Sequence, residues 1–294
     1  MSLSPGNVPE EIPEVGPPAA TDAEVVARRI PHIGHALLFL CFVGMLLLAS
    51  EVVLVLLGFS PAAIVEGTIK VQHPRMQIAA MAATYLTALL AAWLFYPLTW
   101  HRTFLDGLHW NWAIARKQVW RLVGLGLMVG VMMQIVTSFI TPPKTMPMDE
   151  FFLSPATAWI VTLFGIALAP AFEEICFRGF LVPAFAIAYD WLSLPRTEEA
   201  RERWRSTTTL TPAALIFSAL LSSLLFVWIH GEQYAYYWAS LLALFSISLL
   251  LTFVRVKTQS VAASAIVHAA YNSFVFLVGI VATGGYRHLD RLTH

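Results

Sequence analysis

The sequence predicts an all-α membrane protein, a polytopic bundle of seven transmembrane helices with eight as the alternative. Three observations carry this. The 294 residues are 58% hydrophobic and only 12% charged, whereas a soluble domain holds about 45–50% apolar and about 25% charged residues. Mean hydropathy is +0.69. Apolar stretches of about 20 residues, the length a helix needs to cross a hydrocarbon core about 30 Å thick, recur along the chain. An ordinary soluble enzyme and a disordered chain are both excluded. Lys plus Arg and Asp plus Glu each number 18, so there is no basic footprint for nucleic acid, and membrane lipids are the expected surroundings. Cys41 and Cys176, the two cysteines, lie in apolar sequence and offer neither a disulfide framework nor a thiolate metal site.

Taken in order, residues 1–33 are rich in proline and acids and read as a disordered cytoplasmic tail rather than a signal peptide. Spans are expected at 34–58, 76–99, 119–141, 211–231, 237–254 and 261–282. The apolar region 156–193 is too long for one perpendicular crossing. It is either one tilted helix or two segments bent near Pro170, and the single helix gives the preferred count of seven. Residues 103–118, with Trp110 and Trp112 among charges, read as an interfacial helix. Residues 142–150, rich in proline, read as a rigid external turn, and 283–294 as a short C-terminal tail. With seven crossings and the tail inside, twelve Lys and Arg fall on one side and five on the other. That bias places the amino terminus and the Arg-rich 194–210 loop in the cytoplasm.

Ionisable groups at membrane depth cost about 2.5–3.5 kcal/mol each on insertion scales, so they demand pairing or a function. Glu173, Glu174 and Arg178 interrupt apolar sequence on both sides. Glu174 and Arg178 are four apart and can pair on one helix face, while Glu173 projects about 100° away and is left over. A helix end with one salt bridge would explain the pair but not Glu173. His230 follows a long apolar run, with Phe226 one turn earlier on the same face; alone it would read as an interfacial histidine. His268 and Asn272, again four apart, lie near the middle of the last span, where a polar pair could simply join helices. Glu51 has no sequence partner, and helix packing or protonation in place is its default reading. Cys176 reads as a small apolar residue.

Together, a carboxylate, two imidazoles and an amide on three spans supply what acyl-bond hydrolysis needs. A carboxylate can take a proton from water, and N–H groups can stabilise the oxyanion. The same Glu and His groups could instead hold one divalent metal such as zinc, so the choice between no cofactor and a metal stays open. Other intramembrane protease motifs fail. His230-Gly231-Glu232 is no His-Glu-x-x-His, Tyr189-Asp190 has no Gly-x-Gly-Asp to go with it, and no Gly-x-Ser-x-Gly elbow is present.

The ordered set Glu173-Glu174-x-x-x-Arg178, Phe226-x-x-x-His230 and His268-x-x-x-Asn272 resembles the CAAX protease and bacteriocin-processing (CPBP, or Abi) family. Arg255-Val256-Lys257-Thr258-Gln259-Ser260 is similar to that family's Arg-x-x-Thr-Gly-Ser, with Gln259 in place of glycine. The resemblance covers about 155–282, which it marks as a catalytic membrane core following N-terminal transmembrane helices over 34–154. It implies an intramembrane endopeptidase acting on a membrane-associated protein or peptide, in a multi-pass protein of a bacterial plasma membrane. By position, Glu173 would activate water with help from His230, His268 and Asn272 would stabilise the oxyanion, and Glu174, Arg178 and Phe226 would shape the site. The family is described both as metal-dependent and as glutamate-dependent, and the glutamate reading is preferred. The alternatives are a non-catalytic membrane scaffold or bacteriocin-immunity protein of the same fold, and a transporter or proton-coupled channel. Against the transporter, no inverted repeat is visible.

Overall fold

The computed structural model describes residues 29–292, apart from 60, 61, 66, 67, 72, 141, 142, 144 and 145. The tail expected over 1–33 therefore lies, up to residue 28, outside the described residues, as does part of the turn expected over 142–150. Seven helices among the described residues are long and apolar enough to cross a membrane. They are α1 (Ile33–Leu56), α2 (Pro74–Trp100), α5 (Val119–Ser138), α6 (Pro155–Ser193), α8 (Pro212–His230), α9 (Trp238–Thr258) and α10 (Val261–Ala282). Shorter helices are α3 (Phe104–Gly107), α4 (Trp112–Lys117) and α7 (Glu198–Ser206). The architecture is the all-α polytopic bundle that composition implies, and the protein is an integral, multi-pass membrane protein.

Three local features depart from the sequence reading. Between α1 and α2 the chain forms a small antiparallel hairpin, β1 (Ala62–Val65) with β2 (Thr68–Val71), Ala62 opposite Val71. The interfacial segment is two short helices rather than one, broken where His109 takes a left-handed conformation with φ 58°. Arg-rich 194–210 contains the helix α7. Thr197 caps it, Glu198 and Glu199 occupy its first turn, and Arg203 and Arg205 occupy its last, an arrangement that complements the helix dipole at both ends.

The long apolar region is the single helix α6. At 1.5 Å per residue its 39 residues extend about 58 Å, far more than a perpendicular crossing needs. Proline removes the hydrogen bond to residue i−4 and its ring collides with that carbonyl. Pro170 and Pro183 would therefore each break α6, at Ile166 and at Gly179. Both positions lie in widened π turns, Phe164–Leu168 and Ile175–Leu181, in which Ala169 N–H donates to Phe164 O and Val182 N–H to Phe177 O. Widening moves the carbonyl clear of the ring and lets the helix continue.

Aromatic packing fixes α1 and α2 against this helix. Phe39 stacks on Phe180 with ring centroids 4.5 Å apart, and Tyr85 stacks on Phe172 at 3.7 Å. On the other side α5 packs along α10, and two glycines set the approach. A Cβ at Gly126 would lie 2.5 Å from Val267 O, and one at Gly130 would lie 2.5 Å from the Phe274 ring. Small residues one turn apart let membrane helices touch backbone to backbone, where packing must stand in for the missing hydrophobic drive. Large apolar side chains such as Leu37, Leu48, Leu90 and Leu98 stay exposed on the outer faces, as lipid contact requires. Glu51 is also exposed, near the end of α1, so its default of helix packing does not hold.

Candidate active site

The residues singled out in the sequence meet at one place, between α6, α8 and α10. Glu174 and Arg178 are both fully buried and form an ion pair at 2.9 Å along α6. Arg178 Nη2 also donates to the backbone carbonyl and the hydroxyl of Ser248 on α9, both at 2.8 Å. The same Glu174 Oε1 that accepts from Arg178 lies 2.9 Å from Nδ1 of His268. Glu174 therefore joins α6 to α10, and Arg178 joins α6 to α9.

Glu173, one position earlier, points elsewhere, as the 100° step requires. Its Oε1 lies 3.8 Å from His230 Nε2, and its Oε2 lies 3.8 Å from His268 Nε2. Glu173 and His230 keep about one-seventh of their side-chain surface accessible, so the group borders open space rather than sealed core. Phe226 supports both imidazoles. Its ring stacks on His230 at 4.3 Å and meets His268 edge-on at 6.3 Å, while its carbonyl lies 2.7 Å from His230 Nδ1.

These partners fix the tautomers. A carbonyl oxygen only accepts, so His230 carries its hydrogen on Nδ1. The Glu174 carboxylate, held by Arg178, likewise accepts from Nδ1–H of His268. The Nε2 of each ring then faces Glu173. A gap of 3.8 Å exceeds a direct hydrogen bond, the separation at which a water set to one side can touch both groups.

Two Nε2 atoms and a carboxylate are suitable donor types for catalytic zinc. Their spacing is not suitable, because donors around a tetrahedral zinc ion lie about 3.3 Å apart given bonds of about 2.0–2.1 Å. Among the described residues no group of three or more His, Cys, Asp or Glu is placed to hold a metal ion. The arrangement does not fit a bound metal.

Asn272 joins the set differently from Glu173. Its Nδ2 donates to Gly165 O at 2.7 Å. Gly165 lies in the first π turn, where an i+5 bond would have to come from residue 170. Pro170 has no N–H, so the Asn272 amide satisfies the carbonyl that this proline leaves open. One N–H of the amide is thereby occupied and one remains.

Ser248, Gly165 and Tyr234 take part without having stood out in the sequence. Tyr234 lies in the turn after α8, where burial and then the nearby Glu173 carboxylate push its phenol pKa up. A serine among the apolar residues of α9 and a glycine in α6 carry no pattern that would single them out. The Arg178–Ser248 contact depends on how α9 packs, which spacing does not reveal.

Residues 155–274 match the family model described as Rce1-like, type II CAAX prenyl endopeptidase Rce1-like. This segment is an Rce1-like domain. The matched residues carry all three motifs, and the match agrees with the CAAX protease family that the motifs resemble. No curated protein and no solved structure matches the chain. Within the matched segment lie the whole of α6, α7, α8 and α9 and the first part of α10, which bears His268 and Asn272. Helices α1, α2 and α5, outside the match, pack around it.

Proposed function

We propose that the protein is an intramembrane endopeptidase that hydrolyses a peptide bond of a membrane-associated protein or peptide with a water activated by Glu173. The observation that carries this reading is the Glu173 carboxylate set 3.8 Å from two imidazole Nε2 atoms. A water in that gap would donate one hydrogen to Glu173 and the other to His230 or His268, which aims its lone pair at a carbonyl. As the oxygen–carbon bond forms, Glu173 takes the proton. As the carbon–nitrogen bond breaks, Glu173 returns it to the leaving amine. His230 and His268 orient the water, and Phe226 holds both rings. The developing oxyanion falls to the second N–H of Asn272, with His268 one turn away on the same face of α10. Glu174 and Arg178 hold His268 and α9 in place. The catalytic core is residues 155–282, the mechanism needs no metal, and the charge bias favours a cytoplasmic amino terminus.

The family description reads CAAX prenyl endopeptidase, and a lipidated peptide is the first substrate to try. Detergent-purified protein is assayed on quenched peptides with and without a prenyl group, wild type against Glu173→Ala. Cleavage by wild type alone supports the reading. Equal cleavage by both removes Glu173 from it.

A further inference from the structure

A second polar cluster lies away from the active site, where the end of α6 meets the start of α8. Arg29 is buried there. Its guanidinium stacks 3.4 Å above the Trp204 ring, and Nη2 donates to the carbonyls of Trp204 and Thr207. Its Nε and Nη1 have no hydrogen-bond partner among the described residues. Burial lowers the Arg29 pKa, with the charge of Asp190 opposing that shift. Asp190 is engaged elsewhere, since its two oxygens accept from the backbone N–H and the hydroxyl of Thr211. A buried cation with unsatisfied donors is costly unless something else meets it.

Arg29 lines a cleft of about 330 Å³, together with Arg203, Glu199, Ser193 and Thr209. That volume is in the range of small-ligand sites, about 300–1,000 Å³. Its place in the chain sets its depth. Ser193 ends one span and Thr211 precedes the next, so the cleft opens at the level of lipid headgroups. Beside it Trp191 and Leu192 are 56% and 82% exposed, an aromatic and an aliphatic side chain where acyl chains begin. The lining carries both charge signs, Arg29 and Arg203 against Glu199 and the engaged Asp190.

We propose that this cleft binds the headgroup of a zwitterionic glycerophospholipid, its phosphate against Arg29 and Arg203 and its ammonium against Glu199. Lone arginines at a membrane surface would favour anionic lipid. The carboxylate in the same cleft is what selects a headgroup with both charges. Bound there, the lipid ties the segment before α1 to α7 and to the α6–α8 junction.

The test uses the delipidated full-length chain in detergent and reads thermal unfolding and native mass spectrometry. Wild type, Arg29→Gln, Arg203→Gln and Glu199→Gln are titrated with phosphatidylethanolamine, phosphatidylglycerol and inorganic phosphate. Phosphatidylethanolamine is expected to raise the wild-type Tm by roughly 5 °C near saturation and to be retained at one lipid per chain. Each variant is expected to lose most of that response. Arg203 and Glu199 are exposed, so their variants keep the test valid if Arg29→Gln does not fold. An equal response to inorganic phosphate would make this a small-anion site, and an equal response to phosphatidylglycerol would remove the ammonium contact. Either result, or variants that respond like wild type, overturns the proposal.

Discussion

Asp190, near the end of α6, accepts from both the backbone N–H (3.0 Å) and the hydroxyl (2.5 Å) of Thr211, the cap of α8. This contact sets the register of two antiparallel helices. Glu173 lies 17 residues before Asp190 and His230 lies 19 residues after Thr211, about 26 Å and about 29 Å along their helices. The two therefore arrive at the same level, although His230 is the last residue of α8 and Glu173 is mid-helix in α6.

Thr211→Val removes the hydroxyl from this clamp and from the helix cap at once. The expected cost is about 1–2 kcal/mol of stability. Peptidase activity measured well below the new Tm should fall at least about tenfold, because misplacement of about 1 Å at a reacting centre can cost 10²-fold. Thr211→Ser should restore both. Activity unchanged in Thr211→Val would show that the register is held elsewhere.

Asn272 is expected to have two separable functions. Asn272→Leu leaves the Gly165 carbonyl without a donor and should cost about 1–3 kcal/mol, with activity lost. Adding Pro170→Ala restores an N–H at the position that a π turn pairs with Gly165. Thermal stability should then recover while activity stays lost, since the oxyanion donor is still missing. Recovery of activity together with stability would make Asn272 a scaffold residue only.

Seven spans were legible because the bilayer sets helix length directly, and observed helix ends fall within four residues of the expected ones. The pairing of Glu174 with Arg178, and the different aim of Glu173, follow from helix periodicity alone. Depth misleads for His230. Its helix ends there, which taken alone would put it far from Glu173, and only the Asp190–Thr211 contact across 21 residues of chain restores the match. The π turns were not legible either. Pro170 reads as a possible bend, and its actual remedy, a widened turn completed by an amide from α10, needs the packed bundle. Ser248 and the Gly126–Gly130 surface likewise gain their meaning from neighbours distant in sequence.

The Glu174–Arg178 pair should show the asymmetry of buried ions. Arg178→Met strands a carboxylate whose Oε2 already has no partner among the described residues, at an expected cost of about 3–5 kcal/mol. Glu174→Gln combined with Arg178→Met should cost less than Arg178→Met alone. Chemical or thermal unfolding of the two variants in detergent measures this. A double variant at least as damaged as the single would mean that Ser248 and His268, rather than the charge itself, need the pair.

Metal removal gives the sharpest separation of mechanisms. Each imidazole Nε2 lies 3.8 Å from its own Glu173 oxygen, where donors around a tetrahedral zinc ion lie about 3.3 Å apart, and both imidazoles already have Nδ1 partners. Closing the gap would require His230 or His268 to shift on the Phe226 ring that contacts both. Cleavage is therefore expected to be unchanged by 1,10-phenanthroline and by later addition of zinc, while Glu173→Ala lowers it by about 10²–10⁴-fold. Inhibition by the chelator that zinc reverses would instead make His230 and His268 metal ligands, with Glu173 as ligand or base. In that case a wild-type sample should also contain about one zinc per chain by elemental analysis, and His230→Ala should lose it.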